Sequence, residues 1–193
     1  SDKIFMDLEL FQKIVEDIKV SGQKIKMLRF AAIGEPLLHK EIAKMVAYAK
    51  KAEIAESIDI VTNASLLTKE LADELVEAGL TKFRISLEGV SEKDYKNYAE
   101  ADISFNQFVE NIRYLYQHCK ETKVYIKIID YMVQSPKKQE RFYQIFRPIC
   151  HSIAIEHLTP TIQEIDYSGL SGIEEWKKPQ NGETLFQSRI CSQ

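Results

Sequence analysis

Apolar positions along this chain keep two rhythms that take turns. Leu8, Phe11, Ile14, Val15 and Ile18 recur at helical spacing, with Asp7 placed to cap the start and Gly22 to end the run. Residues 27–33 are then almost continuously apolar, as a buried strand is. Ile42, Met45, Val46 and Ala49 mark a second helix, entered after Pro36, and residues 58–61 a second strand. A helix is expected over 68–78, with Thr68 at its N-terminus and Gly79 just past its end. Lys82–Leu87 reads as a strand, and Phe105, Phe108, Val109, Ile112 and Leu115 line a helix. Residues 124–133 form the strongest strand signal, rich in Val, Ile and Tyr. Pro136 opens a further helix to about Phe146, and Ser152–Glu156 makes a fifth strand.

Five strands separated by helices imply a parallel sheet with right-handed crossovers. Periodicity alone does not choose between an open doubly wound sheet and a closing barrel. After Pro160 the alternation stops, and the Gly-, Ser- and Pro-containing stretches there read as connecting chain.

Composition narrows the function classes. Hydrophobic residues make up 45% of the chain, enough to bury a real core. The net charge of −3 gives no footprint for nucleic acid. No apolar run is long enough for a membrane span. Three cysteines, Cys119, Cys150 and Cys191, are too few and too scattered for a disulfide framework, so a reducing, cytoplasmic compartment is expected.

In parallel βα folds the loops at the C-terminal ends of the strands build the site. The first such loop carries Gly34-Glu35-Pro36, where Gly34 permits close approach and Pro36 holds Glu35 extended. Its carbonyls and carboxylate suit a ligand ammonium group, and a plain Pro-initiated helix suits the same residues. Asn63 leaves the second strand as either a ligand contact or a turn-former. Ser86 and Glu88, two apart, project to one side of the third. Lys127 sits among apolar neighbours in the fourth, where it needs a counter-charge such as Glu88 or Asp130, or an anionic ligand. Glu156 and His157 end the fifth facing opposite ways, so at most one lines the site.

Taken in order, Gly34-Glu35-Pro36-Leu37-Leu38, Thr62-Asn63 with Leu66-Leu67-Thr68, and Ala78-Gly79-Leu80 leading to Ile85-Ser86-Leu87-Glu88-Gly89 resemble the radical-SAM superfamily. The nearest branch is the SPASM or twitch type, which carries a cysteine-rich C-terminal extension. The resemblance implies an α/β fold, a partial (β/α)6 barrel, with residues 1–160 supplying strands two to six and 161–193 a linker and the start of that extension. It implies that Gly34, Glu35 and Pro36 meet the methionine ammonium group of S-adenosylmethionine. Asn63 would lie near the adenosyl part, Ser86 near methionine or ribose, and Lys127 at the methionine carboxylate, with Glu88 also among the cofactor-binding residues.

The chain departs from the family pattern in three places. Ile33-Gly34 stands where a glycine pair is usual, and Glu88 where aspartate is common. The CxxxCxxC that would hold a [4Fe–4S] cluster is absent from the 193 residues. The expectation is therefore a fragment beginning past the cluster loop, without strand one, and clipped near Cys191, which would ligate an auxiliary cluster in the parent. In that parent, the resemblance implies reductive cleavage of S-adenosylmethionine, a reducing electron donor, and hydrogen abstraction from a substrate such as a peptide or protein. The fragment itself is expected to bind no cofactor and to be inactive, with an open strand edge inviting an edge-strand dimer. Two rival readings are a cysteine-less binding or scaffold domain of this type and an unrelated phosphate-binding βα-barrel enzyme.

Overall fold

In the computed structural model, residues 5–31 and 34–157 are described. Helix α1 (Leu8–Val20) begins where the Asp7 carboxylate accepts the Leu10 amide at 2.7 Å. Strand β1 (Ile25–Phe30) follows, then a 3-10 turn at Pro36–Leu38 and α2 (Ile42–Ala52). Next come β2 (Ala55–Thr62), α3 (Lys69–Glu77) capped by Thr68, and β3 (Lys82–Leu87). After β3 lie α4 (Glu92–Ala99), α5 (Phe105–His118), β4 (Lys123–Ile129), α6 (Pro136–Phe146) and β5 (Ser152–Glu156).

All four strand pairings are parallel, and the sheet order is β1-β2-β3-β4-β5. That order settles the choice periodicity left open. A doubly wound sheet reverses direction partway; here every crossover steps the same way, so right-handed connections put the helices on one face. Alternate residues face them: Ile58 and Ile60, then Phe83, Ile85 and Leu87, then Val124, Ile126 and Ile128. These meet Val46 and Ala49 of α2, Leu75 of α3, Ile112 and Leu115 of α5, and Phe142 and Phe146 of α6 in one core. The opposite, concave face carries the other parity and is left to chemistry.

Three local readings are corrected by the coordinates. β1 starts at Ile25, two residues before the expected Met27, and ends at Phe30, with Ala31 already outside it; the last expected strand positions, 32–33, lie outside the described residues. β4 ends at Ile129, because residues Asp130–Val133 curl into a 3-10 turn. A helix not anticipated, α4, fills part of the β3-to-β4 connection; Ser91 caps it by accepting the Asp94 amide at 3.2 Å.

β1 is an edge strand, paired only with β2 among the described residues. Beside it Phe5, Met6, Ile14 and Leu38 keep exposed apolar surface. A groove of about 760 Å³ runs there between α1, β1 and the 3-10 turn, and Gly34, Glu35 and Pro36 form part of its wall. No helix of the described residues is long and apolar enough to cross a membrane. The expected extension, residues 161–193 with Cys191, lies outside the described residues.

Candidate functional site at the strand tips

Pro36 opens a 3-10 turn with Glu35 as its N-cap, so the bland reading of that tripeptide describes its backbone. The Glu35 carboxylate does more than cap. One oxygen accepts from the Leu37 amide at 2.9 Å and the Thr62 hydroxyl at 2.5 Å; the other accepts from the Asn63 amide at 2.9 Å. Glu35 is thus a latch between the exit of β1 and the tip of β2. Three donors occupy most of its acceptor capacity, with room for one further donor at the oxygen that takes the Asn63 amide. Gly34 has open space where a Cβ would stand.

The latch makes a measurable prediction. Glu35→Ala strands three donors and should cost about 2 kcal/mol, with faster amide exchange at Leu37 and Asn63 but not in α5.

Asn63 is folded back on itself: its Oδ1 accepts the Ser65 amide at 2.9 Å, the local turn expected of an Asn. On β3 and β4, Ser86 and Lys127 are register partners, so they stand side by side on the concave face. Glu88 follows two residues beyond Ser86 on the same parity. Asn63, Ser86, Glu88 and Lys127 therefore share one end of one face, whereas Gly34 and Pro36 line the edge groove and are joined to them through Glu35.

Lys127 has a partner that neither sequence candidate anticipated. Its ammonium donates to Glu156 on β5 at 2.7 Å, not to Glu88 or Asp130. The other Glu156 oxygen accepts from the Tyr125 hydroxyl at 2.7 Å. Burial works against the Glu156 charge, but Lys127 and Tyr125 together hold its carboxyl below the usual glutamate range. The Tyr125 hydroxyl is pushed up to about 12 by burial and by Glu156. Asp130 pairs with His157 at 2.7 Å on the rim, where His157 is largely exposed.

Glu88 is different. It is partly buried, makes no ion pair with a described residue, and burial raises its carboxyl above the ordinary value of 4.5. A raised carboxyl means the folded state binds its proton more tightly than the unfolded chain. Its stabilising contribution is complete below about 4.5 and is lost as pH rises through the higher folded value. Glu88→Gln should therefore gain stability over wild type at pH 7 and show little difference at pH 4, as read by thermal melts.

Sequence reasoning missed a second set of residues deeper on the same face. Asp59 is wholly buried; its Oδ2 accepts from the Arg84 Nε at 3.0 Å and lies 3.7 Å from the Arg29 Nη2. Its Oδ1 has no hydrogen-bond partner among the described residues. The Arg84 guanidinium also lies 5.5 Å from the Tyr125 ring centre. The available signal was a charge in the middle of the apolar run Ile58-Asp59-Ile60-Val61.

Cys119 caps α5 and Cys150 precedes β5, which places both at the N-terminal end of the strands, opposite the tips. Both thiols are buried, and burial raises them. No group of three or more His, Cys, Asp or Glu among the described residues is placed to hold a metal ion.

Comparison with known proteins adds to this geometry. The family model described as the Radical SAM superfamily matches residues 1–133. The tungsten-containing aldehyde ferredoxin oxidoreductase cofactor-modifying protein of Pyrococcus furiosus is 39% identical over 83 residues, 43% of this chain and 22% of that protein. The probable GTP 3',8-cyclase of Methanococcus vannielii is 27% identical over 167 residues, covering 72% of this chain and 50% of that one. The chain thus spans half or less of the length of these relatives. Among solved structures, Streptococcus suis SuiB superposes with a TM-score of 0.62 at 15% identity, covering 84% of this chain and 36% of SuiB. That last likeness is one of fold.

Proposed function

Because this chain belongs to the Radical SAM superfamily, we propose that its strand tips are the S-adenosylmethionine-binding part of an enzyme that takes a hydrogen atom from a substrate. In such enzymes the cofactor, reduced by one electron from a [4Fe–4S] cluster, supplies the hydrogen-abstracting radical. The family match carries this reading. The tip arrangement supports it, with Ser86 beside Lys127 and the Glu35 latch fixing the Asn63 loop against the Gly34 loop.

The residues differ in what they have left to offer. Among the described residues Glu88 makes no ion pair and the Ser86 hydroxyl no hydrogen bond, and the Asn63 side-chain Nδ2 takes no part in that residue's turn, so these three suit the polar groups of ribose and methionine. Gly34, Glu35 and Pro36 contribute backbone to the ammonium end. Lys127 meets a carboxylate only by sharing or leaving Glu156.

The cluster does not fit the described residues. Two buried thiols at the wrong end of the sheet are no ligand set, and the 193 residues hold no CxxxCxxC. We therefore assign no step of cluster chemistry to these residues, and propose that the chain by itself is inactive.

Anaerobic reconstitution of the full-length protein tests the reading. Formation of 5′-deoxyadenosine is expected; its absence from a protein that holds a reducible cluster sinks it. A CxxxCxxC encoded ahead of Ser1 would favour the enzyme over a cysteine-less scaffold of the same family. A peptide or protein substrate belongs to the same proposal, and SuiB is itself solved bound to its precursor peptide SuiA. Pairing of two copies at the β1 edge belongs there too, supported by the exposed apolar residues beside it; a clean monomer in light scattering would remove it.

A further inference from the structure

The chain is acidic overall, with a net charge of −3, yet its concave face is not. Strand parity and register place Arg29, Lys82, Arg84, Lys123 and Lys127 on that face, against Asp59, Glu156 and, just past the end of β3, Glu88. The helix-facing parity of the same strands carries only Lys26 and Glu56. The excess of cations is therefore a property of one surface, not of the strands.

Within it, two guanidinium groups converge on a single atom. Arg84 spends its Nε on Asp59 Oδ2 and keeps its outer nitrogens, while Arg29 approaches the same oxygen with one Nη. One carboxylate cannot neutralise two guanidinium groups, so a positive charge remains. Both arginines stay in part accessible, with side-chain exposures of 42% for Arg29 and 27% for Arg84. The shared, wholly buried carboxylate holds the two forks together. Paired forked donors with a net charge are a receptor for a planar or tetrahedral oxyanion.

We propose that Arg29 and Arg84 bind the anionic group, phosphate or carboxylate, of the substrate that the proposed radical chemistry acts on. Arg84 lies two residues below Ser86 on β3, roughly 7 Å deeper. The substrate would then stand upright, its reacting carbon at the tips and its anion at the floor. This substrate class rests on the functional reading above, and the experiment separates the two.

The full 193-residue chain is titrated by calorimetry with inorganic triphosphate in one arm and glutarate in the other, at low and raised salt. Saturable binding of at least one probe is expected, and the arm that binds tells which source of anion the site prefers. Arg29→Gln should weaken it about tenfold, and Arg29→Lys should recover part of the loss, since charge returns without the fork. Arg29 is the residue of choice because it is the more exposed of the pair. Lys51→Gln, on the exposed side of α2, should change nothing. No saturable binding, equal binding by Arg29→Gln, or an equal loss in Lys51→Gln overturns the site. If the reconstituted full-length protein makes 5′-deoxyadenosine while neither probe binds, the anion site fails and the functional reading stands. If probe binding depends on Arg29 but no 5′-deoxyadenosine forms over a reducible cluster, the site stands and that reading fails.

Discussion

Arg84→Leu is expected to lower the unfolding free energy by about 3 kcal/mol, among the largest effects of any single change on the concave face. The cause is the partner it leaves behind. Asp59 is wholly buried, one of its oxygens already lacks a hydrogen bond among the described residues, and Arg84 at 3.0 Å is its near counter-charge. Arg29, at 3.7 Å and more exposed, cannot replace it. Urea denaturation should show the midpoint falling with little change in slope. The double variant Asp59→Asn with Arg84→Leu should recover much of the loss, because a neutral amide is cheaper to bury than an orphaned carboxylate. Additive losses in the double variant would show that Arg84 contributes through packing on Tyr125 and not through its charge.

Gly89→Ala should cost a similar amount, about 3 kcal/mol, for a steric reason. A Cβ at Gly89 would stand 2.2 Å from the Asp94 Cβ. Asp94 cannot swing away cheaply: its carboxylate accepts from the Val90 amide at 3.1 Å, the Ser91 hydroxyl at 2.9 Å and the Lys138 ammonium at 2.6 Å. The clash therefore forces the β3 exit away from the start of α4, disturbing Glu88 next door. The cost should shrink when Asp94 is glycine, since the offending atom is gone even though the cap is lost. Equal costs of Gly89→Ala in both backgrounds would place the strain elsewhere.

Some of this architecture was legible in the letters. β3, α6 and β5 have the bounds that alternation and a leading proline suggest, because each is short and bracketed by clear stops. α4 was not legible because it buries only Asp94 and Tyr95 and so has no apolar stripe; the Ser91-x-x-Asp94 cap was its only mark. β4 read too long because Tyr131, Met132 and Val133 are as β-prone as the strand before them, so the single turn-forming residue Asp130 was outvoted. At the site, the tip positions followed from strand ends, but their partners did not. Glu156 lies 29 positions beyond Lys127, and Arg84 lies 25 beyond Asp59. Such pairs come from register between strands, which no single-chain pattern encodes.

The one-sided winding of the helices has a consequence for how this protein can change. Along residues 82–88 and 123–129, odd and even positions answer to different demands. Ile85 or Ile126 can be altered only at the expense of the packed interior, while Ser86 and Lys127 can be rewritten with the scaffold left standing; Arg84 is the exception, because the buried Asp59 depends on it. A saturation scan of these strands should beat with a period of two, tolerance alternating with intolerance. New ligand preferences can thus be acquired one step at a time on a framework that need not be rebuilt.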